Sequence, residues 1–299
     1  MNLADLRVFK AVVDCGGVTK AAAQVHRVQS NLTARIKHLE QDLGLQLFER
    51  SNRRMVLTAE GRRLYDSADR LLNLADEVRR DMVEQGVAGV VRIGSMESTA
   101  ATRLPNLLAE FHAGHPAAQL ELSTGTARAL IDRLVAGEID IAFAAGAVAH
   151  EALNAVAVFQ EDMVLVLPPG EGPLDMASAS LVAFTTGCAY RRVAEGWFRE
   201  QGGQLRRVVE LGSYHAILAC VAAGMGCAIV PRSLLAIYPQ RDLLRTQALP
   251  RALAAQPTWM VTRKLTLSPS VAAFRDLVLA RTAAAMRRGR VLREEKLAA

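Results

Sequence analysis

With 299 residues, 51% of them hydrophobic, the chain is long enough for two or three domains with sizeable cores. Its formal charge of +6 suits a polyanionic partner and fits a basic enzyme equally well. No run approaches the ~18 apolar residues of a membrane span, and no basic-then-apolar leader opens the chain, so a cytoplasmic protein without a membrane partner is expected. The four cysteines, Cys15, Cys188, Cys220 and Cys227, show no CxxC spacing and no clustered histidines. Neither a zinc site nor a disulfide framework is expected, and no cofactor.

Leu3, Leu6, Val8, Phe9, Val12 and Val13 predict a first helix, ended by Gly16-Gly17. Val18 to Val25 carries an alanine run that favours a second helix. After a break at Val28-Gln29, Ser30 is expected to cap a third, whose Leu32, Ile36, Leu39 and Leu43 form one buried stripe. The polar faces offer Ser30, Asn31, Thr33, Arg35 and Lys37, hydroxyl, amide and cationic groups of the kind that meet base edges and phosphates in a DNA major groove. Helix pairs like this also occur in domains that bind nothing. Charge favours DNA: from Lys20 to Arg63 nine Lys or Arg stand against four acids, a net of +5.

From Phe48 to Thr58 the pattern predicts two short strands around a polar turn at Ser51-Asn52, with Arg53 and Arg54 at or beside its tip. It reads as a wing on phosphate or minor groove, or as a solvated hairpin. The next helix, Ala59 to about Glu84, carries Leu64, Ala68, Leu71, Ala75, Val78 and Met82 at heptad spacing. A narrow stripe between two globular units favours pairing with another chain over packing on its own domain. Gly86 to Gly89 is a short hinge.

Beyond the hinge, strands and helices alternate. Strands are predicted at 90–94, 119–123, 139–144, 163–167, 181–184, 208–211, 227–230 and 258–263, and helices at 99–113, 127–136, 189–201, 215–223 and 270–288. This is an open α/β architecture in two lobes. Ligands in such sheets lie beyond the carboxyl ends of strands. Four junctions there combine hydroxyls with free N–H groups at a helix start, an arrangement that suits a small anion, although each hydroxyl alone would serve as a helix cap. Gly224-Met225-Gly226 follows a helix and precedes a strand, the wrong order for phosphate binding, and reads as a helix stop.

Ala21-Ala22, Gln29 to Thr33, Ile36, Leu39-Glu40, Leu43-Gly44, Leu47 to Arg50 and Leu57 to Gly61 resemble the winged helix of LysR-type transcriptional regulators, and the likeness continues along the chain. One departure stands out: where that motif has a Pro or small residue, then an apolar residue and Ser, this chain has Ser30-Asn31-Leu32-Thr33.

The resemblance implies a winged helix-turn-helix over 1–58, a linker and dimerisation helix with hinge over 59–88, and a two-lobed effector domain like periplasmic binding proteins. Its first lobe would comprise 89–161 and 265–299, its second 162–264. It implies double-stranded DNA with a near-palindromic operator as partner, a homodimer or homotetramer, RNA polymerase as a further contact, and a small effector between the lobes.

DNA-contact candidates are Lys20, Gln29, Ser30, Asn31, Thr33, Arg35, Lys37, Arg50, Arg53 and Arg54. Effector candidates are Ser98, Thr99, Thr124, Thr126, Cys188, Tyr190, Arg191, Tyr214 and His215. Arg191 is the expected carboxylate partner or else a surface cation. Cys188, near Arg191 and Arg192, offers a redox-sensing alternative. An enzyme or a cytosolic binding protein is the remaining class, but no nucleophile elbow, HExxH, P-loop or complete GxGxxG is present.

Overall fold

The structure, a computed structural model, describes residues 1–298 except 26, 52–53, 84–85, 147, 171–178, 202–206 and 266; at 50, 51, 54, 77, 80–83 and 285–298 it describes backbone only. The chain folds as two compact units, Met1–Val83 and Glu84–Ala299.

In the first unit, α1 (Leu3–Asp14), α2 (Val18–Gln24) and α3 (Gln29–Leu43) are followed by an antiparallel hairpin, β1 (Phe48–Ser51) with β2 (Arg54–Leu57), and by α4 (Ala59–Val83). The core is the expected one: Leu6, Phe9 and Val12 meet Ala21 and Ala22, and the α3 stripe of Leu32, Ile36 and Leu39 lies against them. Gly44, at φ +66°, closes α3 in the left-handed conformation that glycine adopts without steric cost. The start of α3 differs from expectation. Val28 holds the cap position with no side-chain bond, and Ser30 lies within the first turn.

The expected seam of α4 is corrected as well. Ala68 is fully buried and packs with Leu72, and with partly buried Leu64, on the unit's own core. A helix rising over α1 must turn one face to it, and that face claims these positions of the heptad. At its start α4 also lies tight against the chain entering the hairpin, where a β-carbon at Gly61 would stand 2.2 Å from the Leu47 carbonyl oxygen. Leu71, Leu74 and Val78 stay exposed at 41%, 44% and 51%, and Leu74 was not part of the expected stripe.

In the second unit, β3 (Gly89–Ser95) leads to α5 (Glu97–Thr102), α6 (Leu104–Gly114), β4 (Ala118–Thr124), α7 (Ala127–Val135) and β5 (Ile141–Ala145). The single helix expected over 99–113 is two, because Pro105 sits in the first turn of α6 and cannot continue α5. Then come β6 (Leu153–Leu167), β7 (Ser180–Phe184), α8 (Ala189–Glu200), β8 (Arg207–Leu211), α9 (Tyr214–Ala222), β9 (Ala228–Pro231) and α10 (Arg232–Ile237). The chain closes with β10 (Arg245–Ala248), α11 (Arg251–Ala254), β11 (Ala255–Arg263) and α12 (Pro269–Ala298).

The first lobe's sheet runs β4-β3-β5-β11-β6, with β3 parallel to β4 and β5. Its outer face packs under α6 and α12 through Val91, Phe111, Phe143 and Phe274. The second lobe is built on the far half of β6, where Met163 to Leu167 pairs with β9 and β10. The parallel pair β7-β8 joins it by a bridge from Leu181 to Cys227. Two strands thus cross between the lobes: β6 at Asp162-Met163, and β11 where Ala255 pairs with Asp162. Only the second half of β6 is predicted as a strand; in the first half, exposed positions include the apolar Val156 and Ala157 as well as Asn154 and Gln160, so burial there follows no clean alternation.

Candidate DNA-reading face and interlobe effector site

On the first unit, Gln29, Thr33 and Lys37 fall four residues apart on α3, a spacing that aligns them along one face. They line a groove with Thr19 and Lys20 of α2 and with Phe48 and Met55 of the hairpin. Ser30 and Asn31 are exposed beside it. Among the described residues no ion pair holds Lys20 or Lys37, so both charges are available to phosphate. The Thr33 hydroxyl donates to the Gln29 carbonyl at 3.0 Å and keeps its lone pairs to accept.

Arg35 is placed differently. Its guanidinium donates to Asp5 of α1 at 2.7 Å, and Asp5 is only 3% exposed. Arg35 therefore ties α3 to α1, and sequence reasoning missed its partner because a lone acid on an apolar helix face carries no pattern. Arg53 lies outside the described residues. The hairpin places the backbones of Arg50 and Arg54, and their side chains also lie outside what is described.

In the second unit, residues from both lobes and the crossing strands converge. Ser98 and Thr99 on α5, Tyr190 on α8 and Thr258 on β11 are all buried, and none of their four hydroxyl oxygens makes a hydrogen bond of good geometry. Ser98 and Thr258 stand near enough to the Tyr190 phenol to act on it as hydrogen-bond partners, Cys188 lies close as well, and burial pushes the phenol's pKa above its ordinary range. Buried hydroxyls without partners are rare, because each forfeits the hydrogen bonds it made to water.

The charges around this cluster are committed. Arg103 donates twice to Glu161 at 2.8 and 2.9 Å, which holds its guanidinium in the charged form, and Ser233 completes Glu161 at 3.0 Å. Arg191, the expected carboxylate partner, gives its donors to Glu195 at 2.6 Å, Glu210 at 2.9 Å and the Phe184 carbonyl at 3.3 Å. It pins α8 to β8 and faces no vacant acceptor.

The other expected residues divide. Thr126 caps α7 through the Ala129 amide at 3.4 Å, and Thr124 is exposed on an edge strand. Tyr214 is buried with its hydroxyl 3.7 Å from the Cys188 sulfur. His215 is exposed and stacks edge-on to Tyr238. All four cysteines are free thiols, and burial pushes Cys227 up to about 12. Glu97, missed because it reads as an ordinary first-turn acid, accepts from the Tyr214 amide at 3.2 Å and the Ser213 hydroxyl at 3.3 Å.

The lobes are closed on each other. A β-carbon at Gly187, φ +95°, would stand 3.2 Å from Thr126 Oγ1, and one at Gly146 would stand 3.3 Å from Arg192 Nη2. Cys188, Ala189 and Tyr190 share a single apolar cluster with Met96, Ala127 and Ala145.

A winged helix with open cations, joined in one chain to a two-lobed α/β unit, defines the class of ligand-binding DNA regulators. The comparisons agree along nearly the whole chain. Residues 3–62 match the family model for the bacterial regulatory helix-turn-helix protein of the lysR family, and residues 84–283 the LysR substrate binding domain. The transcriptional regulator YofA of Bacillus velezensis is 40% identical over 84% of this chain and 88% of its own. GltR of Bacillus subtilis is 34% identical over 92% and 95%. Full-length CbnR in complex with its target DNA superposes with a TM-score of 0.70 at 27% identity, covering 94% of this chain and 100% of that one. The chain belongs to the LysR family: it is a DNA-binding transcriptional regulator with an effector-binding domain. No helix among the described residues is long and apolar enough to cross a membrane.

Proposed function

We propose that the protein reads a near-palindromic operator as a dimer, and that a small molecule held between its lobes sets the strength of that binding. The observation that carries the effector site is the set of four partnerless buried hydroxyls on α5, α8 and β11. A ligand that accepts and donates hydrogen bonds there recovers what each hydroxyl lost on burial. The exposed row of Leu71, Leu74 and Val78 on α4 supports pairing of two chains along that helix. Base readout falls to Gln29 and Thr33, and phosphate contact to Lys20 and Lys37. On this reading 1–58 reads DNA, 59–88 pairs and links, 89–161 with 265–299 forms one lobe, and 162–264 forms the other.

The anion expected at the strand-to-helix junctions loses its support. Arg103 and Arg191 are both spent on carboxylates, and Glu97 adds negative charge at the rim. A small uncharged molecule bearing hydroxyl or amide groups suits the cluster better, because the Arg103 and Arg191 guanidiniums beside it are already paired with carboxylates. Redox sensing through Cys188 has less support, since its thiol is buried against Tyr214 and the Arg191 charge is turned to Glu195 and Glu210.

Fluorescence anisotropy of the protein with its own upstream intergenic DNA, against scrambled DNA across a salt series, tests the reading. Specific binding at two protomers per site with a steep salt slope is the expected result. Equal weak binding to both DNAs would overturn it.

A further inference from the structure

The Glu97 carboxylate lies between two helix N-termini. It opens α5 in the first lobe and accepts from the Tyr214 amide and the Ser213 hydroxyl, the first donors of α9 in the second. Burial pushes the Glu97 pKa up, and the Tyr214 amide and Ser213 hydroxyl at the start of α9 work against that by favouring the charged form. Among the described residues, its acceptor bonds to Ser213 and Tyr214 fasten one rim of the closed cleft from lobe to lobe. Beside the strand crossing, Ser233 of the second lobe donates to Glu161, which Arg103 holds from the first; the seam at Thr126–Gly187 and around Cys188 is van der Waals and apolar contact.

We propose that Glu97 is a latch: its carboxylate holds the cleft shut over the partnerless hydroxyls, and an effector enters or leaves only as the Glu97 bonds to α9 are released. The proposal rests on the interlobe site argued above and concerns its regulation. It implies that lobe closure does not await the effector. The closed arrangement is held by the chain's own acid, and a ligand changes the balance by its differential affinity for the latched and released states.

Cys188 reports the state of the latch. It is 7% exposed, within the seam, so N-ethylmaleimide reaches it only when the cleft opens. Cys220, half-buried on α9, gives the rate for an accessible thiol, and Cys227, fully buried in the second lobe, reports loosening of the fold. The experiment is peptide-resolved labelling of the full-length wild-type, Glu97→Ala and Glu97→Gln proteins.

Hydrogen bonds to a charged acceptor are strong enough that Cys188 labelling should rise roughly tenfold or more in Glu97→Ala, with Cys227 unchanged. Glu97→Gln, which keeps an acceptor without the charge, should fall between the two. An unchanged Cys188 rate in Glu97→Ala would overturn the latch, and so would a parallel rise at Cys188 and Cys227. Neither readout involves DNA, so failure of specific operator binding would strike the functional reading and leave the latch standing or falling by its labelling.

Discussion

The two ligand-facing surfaces of this molecule leave opposite groups unsatisfied. On the winged unit, Lys20 and Lys37 stand in solvent without ion-pair partners among the described residues, while the hydroxyl of Thr33 is bonded to its own helix. Between the lobes the guanidiniums of Arg103 and Arg191 are paired with carboxylates, and the hydroxyls of Ser98, Thr99, Tyr190 and Thr258 lack well-formed hydrogen bonds. An exposed charge is tolerated because water screens it, whereas a buried one must be paired. The first surface is thus matched to a polyanion, and on the proposed function the second takes a hydrogen-bonding small molecule.

The largest effect comes from breaking the pairing inside the lobes. Arg103→Ala leaves Glu161 buried and uncompensated, and should lower the stability of the effector unit by about 3–5 kcal/mol. Urea unfolding followed by a probe in that unit measures it, and a loss below about 1 kcal/mol would show that the pair is not what holds the crossing. On the winged unit the same kind of change is mild for the fold. Lys37→Ala should weaken operator and nonspecific DNA alike and reduce the salt slope by about 1, whereas Thr33→Ala should relax discrimination by about 1–3 kcal/mol at one base position and leave the slope alone. Anisotropy against single-substituted operators separates them. The smallest effect has the opposite sign. Tyr190→Phe removes a hydroxyl that Ser98 and Thr258 meet only in poor geometry, so without effector it should stabilise the lobes by up to about 1 kcal/mol. A drop in thermal midpoint would show instead that the hydroxyl is satisfied.

The winged unit was largely legible because its signals are local. The stripe of Leu32, Ile36 and Leu39, the glycine stops and the hairpin residues each announce themselves within a few positions. The heptad of α4 misled because periodicity marks an apolar face without saying what covers it; Ala68 went to the unit's own core, and Leu74 joined the exposed row. In the lobes, Ser98, Thr99 and Tyr190 were found from their junctions, although Thr258 lies on a strand 68 residues from the nearest of them and carries no motif. The ion pairs of Arg191 and Arg35 went unread for one reason: their partners Glu210 and Asp5 come from other elements, and pairing across elements leaves no trace in spacing.

One feature of the crossing strands bears on how a small ligand could move large parts. β6 is shared by both sheets, and its pairing with β11 slips by one residue between Thr258 and Trp259, where Val158 is left over. Thr258, with its bare hydroxyl, sits at that irregularity. A bulge bends and twists its strand locally, which makes it a natural axis of flexure. On the proposed function, a molecule seated against Thr258 acts beside the crossing. Flexure there by a fraction of an ångström would turn one lobe against the other, with an amplitude that grows with distance from the axis.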